Sequence, residues 1–202
     1  MRVFLTGFFV SCVACFAFGQ NEDDSRFRLK GVYAGLDAGT NFQELYSGAN
    51  LKFVFKSDWG VSLDYFQWTS ATAMNLPDDY TDGVNLLGAD ETPTDYLDSY
   101  SLLICKRRPL SKNTGLVFTL GPSLVYDKEA QFLPKEGTWY DSNYKATYST
   151  RQGWGAIGKI GTYWTATSWC GFQLELLGNF NEFRNYGALC LSMNFGWMPK
   201  EK

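Results

Sequence analysis

The stretch that decides the fold is Cys170 to Phe180, CGFQLELLGNF, in which apolar and polar side chains alternate. Because successive side chains of a β-strand point to opposite faces of the sheet, this alternation predicts one strand with an apolar face and a polar face. The apolar face carries Phe172, Leu174, Leu176 and Phe180, and the polar face carries Gln173, Glu175 and Asn179. In a water-soluble barrel the apolar face lies inside, whereas in a barrel that spans a membrane it faces lipid and the polar face lines the lumen.

The composition favours strands and excludes several classes of function. The chain has 202 residues, a formal net charge of −3 and 17% aromatic residues. This length is enough for one domain with a core, and the aromatic content is typical of strands. No basic patch predicts nucleic-acid binding. Histidine is absent, which excludes Ser-His-Asp and Cys-His catalysis and His-ligated metal sites, so we expect neither enzymatic activity nor a cofactor.

Residues 1–19 predict a secretory signal peptide. A positive charge at position 2 precedes the apolar segment Val3 to Phe18, which is short for a transmembrane helix, and Ala17 and Gly19 are the small residues that a signal peptidase requires. The segment CVAC at 12–15 matches a lipoprotein signal poorly, because a cysteine stands where leucine is usual. We therefore expect a chain that is exported and cleaved after residue 19.

Eight segments of the remaining chain predict β-strands of about ten residues, the length that a tilted membrane strand needs. They are Lys30–Gly39, Ala49–Lys56, Gly60–Thr69, Tyr96–Lys106, Gly115–Tyr126, Arg151–Trp164, Trp169–Phe180 and Tyr186–Trp197. The predicted organisation is a short N-terminal segment at 20–29, one β-barrel over 30–197 and a C-terminal tail at 198–202.

The predicted connections alternate between short and long. The turns around Ser57, at 108–114 and at 165–168 are short, whereas Ser70–Asp95 and Asp127–Thr150 are long and fall together at the other end of the strands. Barrels of the outer membrane have short periplasmic turns and long outer loops. This asymmetry favours a membrane barrel over a soluble one.

Small and polar residues occupy one face of the predicted strands, and large apolar residues occupy the other. A face of small residues is typical of a narrow lumen, and a face of large apolar residues suits lipid, so we expect Leu174 and Leu176 to face the membrane. Charges inside a narrow barrel have to pair, because each is costly to desolvate alone. We predict a charge and hydrogen-bond network that plugs the lumen, formed by Asp37, Lys52, Asp64, Lys159, Gln173 and Glu175.

Tryptophan and tyrosine residues gather toward the ends of the predicted strands. We predict two aromatic rings at the two membrane interfaces, although aromatic residues also cap soluble cores. The ring at the short-turn end comprises Trp59, Trp164, Trp169 and Trp197, and the other comprises Trp68, Tyr100, Tyr126, Trp154 and Tyr186.

With these patterns the chain resembles the small eight-stranded outer-membrane β-barrel family over Lys30 to Trp197. The resemblance implies an all-β, eight-stranded antiparallel up-and-down transmembrane β-barrel with short periplasmic turns and longer extracellular loops. It also implies an integral outer-membrane protein, often without enzymatic activity, that contacts outer-membrane lipid and the barrel-assembly machinery. We expect a monomer. The chain departs from the family pattern in that MPKEK follows Trp197, whereas such barrels often end on an aromatic residue.

Two further site predictions are open. Asp78, Asp79 and Asp82 hint at a weak divalent-cation loop, but position three of a calcium loop is Tyr80 and no glutamate follows at position twelve. The three cysteines of the mature chain, Cys105, Cys170 and Cys190, allow either one disulfide or isolated thiols.

The alternative to a membrane barrel is a secreted soluble β-barrel that binds a small apolar ligand. That arrangement would turn the large residues of every strand inward. A membrane-barrel enzyme with a mechanism that needs no histidine is a third hypothesis, which turnover of a lipid or peptide substrate would test.

Overall fold

The computed structural model describes residues 28–41, 44–81, 84–85, 88–89, 93–135 and 142–198, so the predicted signal peptide lies outside the described residues. None of the described residues forms a helix that is long and apolar enough to cross a membrane. A two-stranded ribbon pairs Val84–Asn85 with Gly88–Ala89. The eight main strands are β1 (Leu29–Thr40), β2 (Leu45–Phe55), β3 (Trp59–Thr69), β4 (Tyr96–Pro109), β5 (Thr114–Pro134), β6 (Tyr144–Thr165), β7 (Cys170–Asn181) and β8 (Tyr186–Trp197).

The eight strands close into one antiparallel barrel. Each strand pairs with its neighbours in sequence, and β8 returns to pair with β1 from Val32 opposite Trp197 to Thr40 opposite Leu189. Closure leaves no unpaired strand edge within the barrel. The predicted all-β, eight-stranded up-and-down architecture is confirmed.

The alternation of side chains puts polar residues inside the barrel and large apolar residues outside. In β7, Gln173 and Glu175 are buried, whereas Leu174 and Leu176 are exposed. The polar face of the deciding stretch therefore lines the lumen.

The predicted long connection over Asp127–Thr150 is wrong. β5 and β6 continue as a paired ladder as far as Pro134 opposite Tyr144. Residues with high β propensity, such as Phe132 and Tyr148, continue the alternation past the barrel, so the hairpin extends beyond its neighbours. The connection from 70 to 95 remains long and lies at the same end.

Two other strand ends differ from the prediction. β2 begins at Leu45 rather than Ala49, because Gly48 lies within the ladder opposite Asp37 instead of marking a loop. β4 runs past Lys106 to Pro109, and its alternation continues through the arginines there. We refer to the end with connections 56–58, 110–113 and 166–169 as the short-turn end and to the other as the long-loop end.

Within the lumen, apolar side chains form three clusters. A cluster at the short-turn end contains Tyr33, Val54 and Met198. The central cluster is built around Phe66 and Ile157, and the cluster at the long-loop end contains Trp68, Leu97 and Val125. Along β3, Asp64 precedes Phe66 on the same inward face, so a polar layer lies between the first two clusters.

Candidate functional site: a charge network inside the barrel

All six residues predicted to form a lumen network project into the barrel and are buried. They come from five strands, so only barrel closure brings them together. The six are Asp37 on β1, Lys52 on β2, Asp64 on β3, Lys159 on β6, and Gln173 and Glu175 on β7.

One half of the network surrounds the ammonium group of Lys159. Its Nζ donates a hydrogen bond to Oδ2 of Asp64 and lies 3.9 Å from Oδ2 of Asp37. The second oxygen of Asp64 accepts a hydrogen bond from Ser62, and Oδ1 of Asp37 accepts one from the amide of Asn50 at 2.8 Å. Two carboxylates thus share one buried cation, and neutral donors satisfy one further oxygen of each.

The other half surrounds Lys52. Its Nζ donates a hydrogen bond to Oε1 of Gln173 and lies 4.0 Å from Oε2 of Glu175. The amide nitrogen of Gln173 lies 3.4 Å from the hydroxyl of Tyr33, to which it donates. The ammonium group is thus held by an amide oxygen and a carboxylate.

Arg107 is a third buried cation that the sequence reasoning missed. Its side chain is 3% exposed, and its guanidinium carbon lies 3.7 Å from the ring centroid of Tyr163. Arg107 adds a third buried positive charge to the lumen, where the six network residues supply three carboxylates and two ammonium groups. Arg107 lies two residues after Cys105, so strand alternation places both side chains on the same inward face. The predicted strand ended at Lys106 and therefore did not include Arg107.

Gly35 leaves the space that the network occupies beside β1. A Cβ atom at this position would lie 2.4 Å from Oδ1 of Asn194 and 2.6 Å from Nδ2 of Asn50. Because Asn50 is the hydrogen-bond donor to Asp37, a larger residue at position 35 would displace a member of the network.

Comparison with solved structures shows the fold of this barrel. The chain resembles the N-terminal β-barrel domain of Pseudomonas aeruginosa OprF with 11% identity and a TM-score of 0.53, over 83% of this chain and 98% of that one. It resembles Neisserial surface protein A with 10% identity and a TM-score of 0.53, over 83% of this chain and 95% of that one. This is the fold of the small eight-stranded outer-membrane barrels. No protein-family model and no curated protein matches the sequence.

Seven of the nine predicted ring residues lie on the exterior of the barrel, six on the outward faces of strands and Trp169 in the turn between β6 and β7. Trp154 is 64% exposed, and Tyr126 is partly covered because its ring contacts that of Tyr100. Tyr65, which the prediction omitted, is also exposed and packs on Tyr100 at 5.1 Å. The seven are Trp59, Tyr100, Tyr126, Trp154, Trp164, Trp169 and Trp197.

The predictions for the other two ring residues, Trp68 and Tyr186, are wrong, because both side chains lie inside the barrel. Trp68 is 3% exposed and its ring stacks on that of Tyr186 at 6.1 Å. The reason is strand alternation, since Trp68 shares the inward face of Asp64 and Phe66.

A second charge cluster, centred on buried Asp127 and absent from the predictions, lies at the long-loop end of the barrel. Nη2 of Arg184 lies 3.0 Å from Oδ1 of Asp127, and Nη2 of Arg151 lies 2.6 Å from the other oxygen of that carboxylate. The guanidinium of Arg184 also lies 4.6 Å from the ring centroid of Trp68. Asp95 accepts hydrogen bonds from two backbone amides, those of Met74 and Ala130, both at 2.9 Å.

The predicted cation loop is only partly described. Asp78 and Asp79 are exposed, and Asp82 lies outside the described residues. Oδ1 of Asp79 accepts a hydrogen bond from the hydroxyl of Tyr144 at 2.8 Å, which raises the pKa of that phenol. Within the described ranges no three acidic, cysteine or histidine side chains are grouped so that they could hold a metal ion. The three cysteines are free thiols and are buried.

Proposed function

We propose that this chain is an integral outer-membrane β-barrel protein without enzymatic activity, whose lumen is plugged and whose long-loop end acts at the cell surface. The observation that carries the proposal is the buried ion network of Lys52, Lys159 and their carboxylate partners inside a barrel with an apolar exterior. A soluble carrier of an apolar ligand would require the opposite placement of polar and apolar side chains.

The exterior supports a lipid environment. Large apolar side chains lie exposed between the two aromatic rings, for example Leu36 at 65% and Leu120 at 66%. A surface of this kind is costly to expose to water, and it matches the apolar band of outer-membrane barrels. The long-loop end would then face outward and the short-turn end would face the periplasm.

The lumen supports a plug rather than a channel. An eight-stranded barrel has an interior just wide enough for side chains. Here the paired charges of Lys159 and Asp64 lie between apolar clusters, and the Arg184 cluster covers the long-loop end. An ion that crossed the barrel would have to break these pairs.

The extended β5–β6 hairpin supports a role at the surface. The segment before the predicted cation loop docks on it, since Asn75 donates to Glu129 and the ring of Tyr80 lies 5.7 Å from that of Phe132. Asn143 completes this contact by donating to the backbone oxygen of Asp79 at 2.7 Å. The result is a lobe with fixed side chains, suited to surface interaction or envelope integrity. We further propose that the barrel is monomeric and is inserted by the barrel-assembly machinery.

Heat-modifiability and conductance test the proposal together. The mature chain from an outer-membrane fraction should run faster unboiled than boiled, and the folded barrel should give no steady conductance in a planar bilayer. Replacing Lys52 and Gln173 together with alanine should open a measurable conductance, whereas the outward control Lys106→Ala should not. A chain found in the soluble fraction would contradict the membrane location, and steady conductance of the unsubstituted barrel would contradict the plug.

A further inference from the structure

A groove crosses the outer surface of the barrel obliquely, from the short-turn end of β3 and β4 to the long-loop end of β7. Its volume is about 740 Å³, and it runs from Trp59 and Lys106 to Phe180. Exposed apolar side chains, including Leu120 and Ile160, form its walls.

Glycines on the outward face form the floor of the groove. Gly158 on β6 lies opposite Gly178 on β7, and both residues line the groove. A Cβ atom at Gly158 would meet nothing closer than Cδ1 of Leu120 at 3.8 Å. Packing within the barrel therefore does not require glycine at this position, and the space above Gly158 in the groove can be occupied by a molecule outside the barrel.

The short-turn end of the groove carries a positive charge. Nζ of Lys106 lies 5.0 Å from the ring centroid of Trp59 and donates one hydrogen bond to the backbone oxygen of Ser57 at 2.9 Å. An ammonium group has three donors, so this bond leaves capacity for an anion. Arg108 is exposed on the same outward face of β4.

This charge belongs to a strongly basic rim. In the part of the chain that the structure describes, Asp58 is the single acidic residue at the short-turn end, and it pairs with Lys30 at 2.8 Å. Besides Arg107, which is buried in the lumen, the cations at this end are Arg28, Lys30, Lys56, Lys106, Arg108 and Lys112. A basic rim beside a membrane surface attracts anionic headgroups.

We propose that the groove binds one anionic phospholipid of the inner leaflet of the outer membrane. Its phosphate would lie at Lys106, and one acyl chain would follow the groove over Gly158 and Gly178. This inference rests on the proposed membrane location, because the short-turn end has to lie at the periplasmic leaflet. An apolar groove with a cationic end matches the apolar chain and negative headgroup of an anionic phospholipid better than it matches a lipid whose headgroup has no net charge.

A second copy of the chain fits the groove less well. A two-fold interface uses the same patch of both copies, and within a membrane its axis lies along the membrane normal, so the two copies of Lys106 would lie at the same level beside one apolar interface. Two ammonium groups brought together at the edge of a low-dielectric region repel each other. A phospholipid supplies the opposite charge.

Native mass spectrometry of the folded barrel tests the proposal, with dioleoylphosphatidylglycerol or dioleoylphosphatidylcholine added to the detergent. We expect one retained phosphatidylglycerol in preference to phosphatidylcholine. Lys106→Gln should lower its retention about fivefold, the effect of one lysine at an anionic surface. Gly158→Leu should lower it about tenfold, since the side chain replaces contact with roughly two methylene groups of the acyl chain. The controls are Lys145→Gln on the hairpin beyond the barrel and Ala34→Leu on the exterior of β1, and neither should change retention.

Each variant is first examined for the heat-dependent shift in gel mobility, which separates the two proposals. A wild-type chain that shows no shift contradicts the membrane barrel itself. If the wild-type barrel shifts but retains both lipids equally, only the lipid site is overturned. The same holds if neither Lys106→Gln nor Gly158→Leu lowers the retention of phosphatidylglycerol. A dimer that Gly158→Leu abolishes would assign the groove to a second copy and would also overturn it.

Discussion

The Nζ atom of Lys159 donates a hydrogen bond to Oδ2 of Asp64 across the lumen, between residues that lie 95 positions apart in the chain. Lys159 is on β6 and Asp64 is on β3, with β4 and β5 between them in the wall of the barrel. The bond therefore ties two sides of the barrel together through its interior. It forms only after the strands have closed, because no local segment contains both partners.

Removing the charge of Asp64 should destabilise the barrel strongly. Asp64→Asn leaves Lys159 buried with only the more distant carboxylate of Asp37, and breaking a buried pair in this way costs about 3 to 5 kcal/mol. The barrel in lipid vesicles is treated with increasing urea, and the measurement is the urea concentration at which the faster-running band of the unboiled sample disappears from the gel. Asp78→Asn removes an exposed carboxylate and serves as the control. An equal response of the two variants would contradict a structural role for the pair.

The sequence predicts which strand face a residue occupies but not which residues meet. Asp64 and Lys159 could be assigned to the lumen because strand alternation determines the face. Their pairing could not be predicted, because it depends on the stagger between strands of the closed barrel. The prediction for Trp68 is wrong for a different reason. It followed the position of Trp68 near the end of a strand, although alternation from Asp64 already places the side chain inside the barrel.

Arg107 and Asp127 were missed for a different reason. Each is the first residue past the predicted end of a strand, Lys106 for Arg107 and Tyr126 for Asp127, and the alternation continues through both. Charged residues at a strand end are typical of solvated connections, and only the extended ladder of β5 and β6 shows that Asp127 is buried. Strand ends are the least certain part of any interpretation of this kind.

Two glycines of β6 should respond differently to alanine. A Cβ atom at Gly161 would lie 2.1 Å from the backbone oxygen of Leu174, whereas one at Gly158 would meet nothing closer than Cδ1 of Leu120 at 3.8 Å. Gly161→Ala should therefore force a backbone shift and destabilise the barrel by about 1 to 3 kcal/mol. Gly158→Ala should be neutral or slightly stabilising, because alanine loses less backbone freedom on folding. The midpoints of urea unfolding in the same vesicles measure the stability of both variants. Equal destabilisation of the two would contradict the packing described for Gly161.

Lipids with brominated chains should distinguish the tryptophan that lies inside the barrel from those on its surface. Bromine quenches tryptophan fluorescence at short range, so replacing exposed Trp154 with phenylalanine should reduce the quenchable signal. Trp68→Phe should leave it unchanged, because that ring stacks between Tyr186 and Arg184 in the lumen. A loss of quenching with Trp68→Phe would return this residue to the lipid-facing ring.

The contact between Tyr144 and Asp79 should weaken at high pH. The hydrogen bond to the carboxylate raises the pKa of the Tyr144 phenol above its ordinary value of 10.0, because a phenolate would face a negative charge. The contact therefore contributes fully below pH 10 and is lost as the pH rises through the raised pKa. The difference in tyrosinate absorbance between the unsubstituted chain and Tyr144→Phe isolates this phenol, which should titrate above its ordinary range. Asp79→Asn should return the titration to about pH 10. A Tyr144 that titrates at its ordinary value with Asp79 intact would show that the lobe is not docked through this bond.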